Sequence, residues 1–205
     1  MTSDAALLVR HVHNSGLAFS TARTRPASDT VHHHIGAVLV DTVLQAGLNY
    51  QTVVQPRVAR IRWNYPEAAT LNGFRGVINC LGAEEVLRWN HPEKPQRLIL
   101  LVEFLCTELI DTSHDLINWL EEPYNAQRLQ TVRGIGPKSV DYLKILLGLD
   151  AIAIDRHLRQ FANDAGVHSK DYFVLRGVIE HAAMILKVNP STLDVAIWSH
   201  MSVNS

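Results

Sequence analysis

Apolar residues in this chain recur at the spacing of an α-helix almost from end to end, and no stretch alternates convincingly between hairpin turns. That periodicity argues against sheet architectures and predicts an all-α fold. Residues 4–19 read as a first amphipathic helix, and TARTRPASD as a polar connection in which Ser28 or Asp29 caps the next helix. In that helix, about 30–46, Val31, Ile35, Val38, Leu39 and Val43 fall at helical spacing before an end near Gly47. Helical segments follow at 51–62, from Pro66 onward, on either side of a Gly82 turn, at about 94–111 and at 114–121. Asn125 caps the next, running to Val132; another spans Pro137 to Leu147 and is closed by Gly148. The last two cover about 169–187 and 190–202, with Asn189 as the cap of the second and Pro190 in its first turn.

The chain has 205 residues, 47% of them hydrophobic, ample for the core of one large or two small domains. Its apolar runs, such as LILLVEFL at 98–105, are too short or too interrupted by charge to cross a bilayer, and the N-terminal residues lack the apolar core of a signal peptide. The expectation is a soluble, cytoplasmic protein with no membrane partner. Cys80 and Cys106 are the only cysteines, which rules out a disulfide framework or an all-cysteine metal cluster within one chain and predicts two buried thiols. Adjacent helical positions point in different directions, so His32, His33 and His34 do not make a metal cluster by spacing. The net charge is −1, yet its distribution is uneven. Residues 101–122 hold six acids and no Lys or Arg, whereas residues 128–159 hold six basic residues against three acids. A locally positive face permits a nucleic-acid partner.

Within that basic stretch lies GIGPKS, residues 134–139. Gly134 and Gly136 permit positive φ in a tight turn, and Pro137 suits a first helical position because its missing N–H would have had no intrahelical partner. The N–H groups of such a turn and helix start can hold a phosphate without reading sequence. Lys138 then sits where the positive end of the helix macrodipole disfavours a second positive charge. With partial desolvation its amine shifts toward the neutral, nucleophilic form; alternatively it pairs with phosphate as a point charge. Asp155 follows the apolar run Ala151 to Ile154 and can cap a helix beginning at Arg156. A carboxylate near such a lysine could also assist deprotonation and stabilise a positive, sugar-like transition state.

The segment LQTVRGIGPKSVDYLKILLGLDAIAIDRHL resembles the helix-hairpin-helix plus Gly/Pro-Asp signature of base-excision DNA glycosylases of the endonuclease III type. The resemblance implies two helical lobes meeting at a cleft: residues 30–149 as a helical barrel ending in the helix-hairpin-helix, and residues 1–29 with 150–205 as a second lobe carrying the catalytic Asp. It implies that Lys138 attacks the anomeric carbon of a flipped, damaged nucleotide as a Schiff-base nucleophile, with Asp155 as the catalytic carboxylate. Gly134, Ile135, Gly136, Arg133 and Ser139 would contact the DNA backbone. AVLVDTVLQAGLNYQTV, residues 37–53, resembles the early family helix whose Leu-Gln pair precedes the loop that enters the duplex, making Gln45 the wedge. Asp41 falls near the acid of adenine-removing members, and is otherwise expected to be solvated or capping. Tyr142, Trp63 and Trp198 are candidates for stacking on the flipped base or for core and rim positions.

The implied protein is a DNA glycosylase with abasic-site lyase activity, acting as a monomer on double-stranded DNA that holds a lesion or abasic site. It would need no cofactor: the iron–sulfur loop of many relatives requires cysteines beyond Cys106, and none follows. Arg156 also stands where many members have a small residue. A monofunctional glycosylase using water, or a non-catalytic helix-hairpin-helix DNA-binding protein, are the alternatives.

Overall fold

The computed structural model describes residues 3–17, 19 and 33–203, and all regular structure among them is helical. The chain divides into two compact units, Ala27–Leu149 and Met1–Pro26 with Asp150–Ser205.

The core of the Ala27–Leu149 unit is built on a helix whose every residue is buried. The first helix of the molecule, α1, is Ser3–Asn14 and belongs to the other unit; the second, α2, is Ile35–Leu44, with Ile35 through Leu44 all inaccessible or nearly so. A helix apolar on all sides is a core helix, and the others pack around it. Gly36 makes this possible on one side, since a Cβ there would stand 2.8 Å from Phe74 Cδ2 and 2.9 Å from the Ala68 carbonyl oxygen. The proposed caps Ser28 and Asp29 lie outside the described residues. His34 caps the described helix start instead, with Nδ1 accepting from the Ala37 N–H at 3.2 Å. That assignment makes Nε2 the donor to the Tyr65 carbonyl at 3.1 Å, and burial holds the imidazole below its ordinary pKa. His33 is exposed and His32 lies outside the described residues, and no metal-holding group of three His, Cys, Asp or Glu occurs among the described ones.

A π-helical turn, Tyr50–Val54, leads into α3, Gln55–Asn64. A 3-10 turn, Pro66–Ala69, precedes α4, Leu71–Leu81, and Gly82 with φ +80° separates α4 from α5, Ala83–Leu87. The long helix α6 is Glu93–Thr107, and α7, Ser113–Leu120, opens on a capping box between Thr112 and Asp115. Helix α8 is Pro123–Leu129. Its cap is Glu122 and not Asn125, which lies inside the helix and donates from Nδ2 to the Trp119 carbonyl at 2.8 Å. Helix α9 is Pro137–Leu146, followed by Gly148 at φ +79°. The thiols depart from expectation: Cys80 is exposed on the outer face of α4, and Cys106 is half-buried.

In the other unit α1 packs with α10, Arg156–Asp164, α11, Tyr172–Leu186, and α12, Pro190–Val203, over a core that includes Leu8, Ile154, Leu158, Phe161, Ile179 and Ile197. The extended run Ile152–Ala153–Ile154 is buried, and Asp194, itself inaccessible, accepts from the Ala153 N–H at 3.3 Å. Among the described residues no helix is long and apolar enough to cross a membrane.

Candidate active site

The GIGPKS turn links α8 to α9, and only one of its glycines needs to be glycine for its backbone. Gly134 has φ +87°, in the left-handed region, whereas Gly136 is the extended N-cap of α9 at φ −100°. Gly134 is tight as well: a Cβ there would lie 2.3 Å from Arg97 Nε, a guanidinium from α6 that packs under the turn. Around Gly136 nothing lies within 4 Å of such an atom. Ile135 is a buried side chain, 3% exposed, whose N–H is already donated to the Val132 carbonyl at 2.9 Å. It anchors the turn rather than presenting a donor. The Ser139 N–H is likewise donated, to the Gly136 carbonyl at 2.9 Å. Among the described hydrogen bonds, none is donated by the N–H groups of Gly134 and Gly136, and Arg133 beside them is exposed.

Lys138 is half-buried in the first turn of α9 and donates from Nζ to Gln45 Oε1 at 3.0 Å. Gln45 is the C-cap residue of α2, its own N–H returned to the Asp41 carbonyl. Its Nε2 is buried with no hydrogen-bond partner among the described residues, an unmet donor beside the lysine amine. One helical turn earlier on α2, Asp41 is fully buried and accepts from Tyr142 Oη at 2.9 Å and Tyr50 Oη at 3.2 Å. So α2 and α9 are joined by two rungs, Asp41 to Tyr142 and Gln45 to Lys138, each spaced four residues along its own helix.

Asp41 is therefore neither solvated nor capping. Burial drives its carboxyl up to about 7, against the opposing pull of the Tyr142 and Tyr50 bonds, and burial with the Asp41 charge drives the Tyr50 phenol upward. Tyr142 is a core residue, 4% exposed, with its hydroxyl spent on Asp41.

In the other unit Asp155 is the N-cap of α10, Oδ1 accepting from the N–H groups of His157 at 2.9 Å and Leu158 at 3.0 Å. Its Oδ2 stands 3.4 Å from His157 Nδ1, and the His157 ring meets Trp198 edge-on with centroids 6.4 Å apart. Trp63, 74% exposed, lies against the Arg62 guanidinium.

Residues 11–202 match a family model described as Domain of unknown function (DUF8548). The chain belongs to that family. No curated protein and no solved structure matches it. The DUF8548 match takes in both the Lys138 turn and Asp155, so both features lie inside the family's own domain.

Three residues near the site carry no sequence signal of their own. Tyr50 stands just before the helical segment read from residue 51, and Lys94 and Arg97 sit in a polar helix start after HPE. Lys94 meets carbonyls 48 and 51 places away, Arg97 packs under Gly134, and Tyr50 reaches back nine places to Asp41; packing sets these positions, and periodicity does not encode it.

Proposed function

We propose that this protein is a DNA repair glycosylase with abasic-site lyase activity, using Lys138 as nucleophile and Asp155 as the assisting carboxylate. The observation that carries the reading is the Lys138 to Gln45 hydrogen bond. The resemblance rests on two separate stretches, residues 37–53 and 128–158, and Gln45 and Lys138, one residue that it singles out in each, are in contact. The turn adds support: Gly134 and Gly136 keep amides for a phosphate, and the exposed Arg133 adds charge.

In this scheme the target nucleotide leaves the base stack, since its anomeric carbon cannot be reached inside a duplex. The Lys138 Nζ lone pair bonds to C1′ as the C1′–N bond to the base breaks, the departing base keeps that bond's electrons and takes up a proton. The new secondary ammonium loses a proton to Asp155, and the ring opens as the nitrogen lone pair forms the C1′=N bond and the C1′–O4′ bond breaks, O4′ gaining a proton and C1′ becoming the protonated imine. Loss of a C2′ proton then expels the 3′ phosphate oxygen and cleaves the strand. The two helical units of the resemblance, meeting at a cleft, would supply Lys138 from one side and Asp155 from the other.

A panel of duplexes carrying single oxidised pyrimidines, oxidised guanine, or mismatched uracil or thymine tests the reading. One substrate is expected to show base release with strand cleavage, the cleavage lost in Lys138→Ala. Base release without cleavage assigns the protein to the water-using class, and salt-sensitive DNA affinity with no excision assigns it to DNA binding alone.

A further inference from the structure

We infer that α11 carries a docking surface for a second copy of this chain, formed by antiparallel pairing of α11 with the same helix of the partner. The inference is independent of the proposed chemistry and replaces the monomer that the resemblance implies. Helix α11 is apolar on two faces. Leu175, Val178, Ile179, Ala182 and Ala183 are buried in the core of their own unit, as an amphipathic helix requires. On the side away from them lie Phe173, Val174, Gly177, His181, Met184 and Ile185, which at about 100° per residue share one face roughly 120° wide. Phe173 is 55% exposed, Val174 53% and Met184 73%, and Ile185 is exposed beside them. Four large apolar side chains on one helical face make a patch, unlike the scattered apolar exposure of any surface.

Gly177 lies at the middle of this face. A glycine inside a helix weakens it, and no neighbour among the described residues requires one here, since a Cβ at Gly177 would meet nothing within 4 Å. Close approach of a second helix gives this notch a use.

The occupant follows from the order of residues along the face. A two-fold axis beside Val178 and Ile179 sets Phe173 against the partner's Met184, Val174 against the partner's Ile185, and Gly177 against the partner's His181. Methionine sulfur on an aromatic ring is a favourable contact. On one rim the same axis brings Arg176 opposite the partner's Glu180, and Glu180 opposite the partner's Arg176. Within one chain these two pair along the helix, Arg176 Nε to Glu180 Oε1 at 3.2 Å, so both charges already stand on that rim. One register therefore matches apolar to apolar and basic to acidic. A parallel pairing would set like charges together and is disfavoured. A single helix pair falls below the roughly 1,200 Å² of standard interfaces, so the dimer is weak, with a Kd on the order of 100 µM.

Sedimentation velocity on the full chain, from about 10 µM to about 1 mM, tests this. The wild type is expected to pass from monomer to dimer over that range, and Met184→Glu to remain monomeric. Arg176→Glu and Glu180→Arg each oppose like charges across the axis and should weaken the dimer about tenfold. An equimolar mixture of these two variants brings opposite charges together again at both pairs, so the mixed dimer should recover about the wild-type affinity. Damage to folding would not be rescued by mixing. A monomer at every concentration overturns the inference, as does a mixture that associates no more tightly than its components. A monomeric wild type that binds vesicles of phosphatidylglycerol and phosphatidylcholine through this face gives it to a lipid surface and overturns the inference as well.

Discussion

Lys138 Nζ and Gln45 Oε1 are 3.0 Å apart across 93 positions of sequence, and this single contact ties the start of α9 to the end of α2. The neutral character of the acceptor matters. An amide holds the amine without demanding that it be charged, whereas a carboxylate in its place would favour the ammonium.

Gln45→Glu should therefore suppress imine formation while leaving the turn in place. A carboxylate at hydrogen-bond range raises a lysine's affinity for its proton, so trapping at neutral pH is expected to fall by about tenfold or more. The pH profile of trapping checks this, with its midpoint moved upward; equal profiles for the two proteins would show that the contact does not set the amine's state.

Asp41 should make stability depend on pH. Its carboxyl is raised from 3.8 to about 7, with burial the main cause. A carboxyl held above its unfolded value favours the protonated folded form, so its contribution is intact below about pH 4 and is lost as pH rises through about 7. Asp41→Asn keeps an acceptor and removes the charge. It is expected to be more stable than the wild type at about pH 8, by on the order of 2–4 kcal/mol, and to match it within about 1 kcal/mol at about pH 4. Urea unfolding at the two pH values measures this, and a difference independent of pH would contradict it.

The two glycines of the turn should respond unequally to alanine. Gly134→Ala puts a Cβ on a residue at φ +87° and against the Arg97 guanidinium, which must swing aside, for a cost of about 1–3 kcal/mol. Gly136→Ala meets neither obstacle and should change stability by no more than about 0.5 kcal/mol. In an Arg97→Ala background the Gly134→Ala cost should shrink but not vanish, since the backbone strain remains; a double-mutant cycle in urea reads the difference.

These contrasts mark what the sequence could and could not show. The apolar pattern of α2 and the Gly82 and Gly148 breaks are legible because each depends on neighbours a few residues away. Pro137 at its helix start and Asp155 as a cap are legible for the same reason. The segment from residue 51 reads as ordinary helix, but it opens on a π-helical turn in which the Val54 N–H reaches back five residues to the Asn49 carbonyl at 3.3 Å, a shift of one residue that side-chain periodicity barely registers. Asp41 reads as solvated because a lone acid in an apolar helix has no local partner. Its partner Tyr142 lies 101 positions away, and only the packing of α2 against α9 brings it there. Ile135 falls inside a motif and reads as one of its donors, whereas its side chain belongs to the core.

Asp155 can be tested for a role beyond capping. Asp155→Ala removes the acceptor for two α10 amides and should cost about 1 kcal/mol. Asp155→Asn retains an acceptor oxygen, so stability and DNA affinity should hold nearly level while base release is lost. Full base release by the Asn variant would reduce Asp155 to a cap.

The central claim is that the Lys138 amine forms the covalent bond to the sugar. Borohydride reduction of the protein with abasic-site DNA, followed by peptide mapping of the adduct, tests it most directly. The account predicts one adduct, on the peptide containing Lys138 and absent in Lys138→Ala; no adduct, or one carried by another lysine such as Lys94, would contradict it.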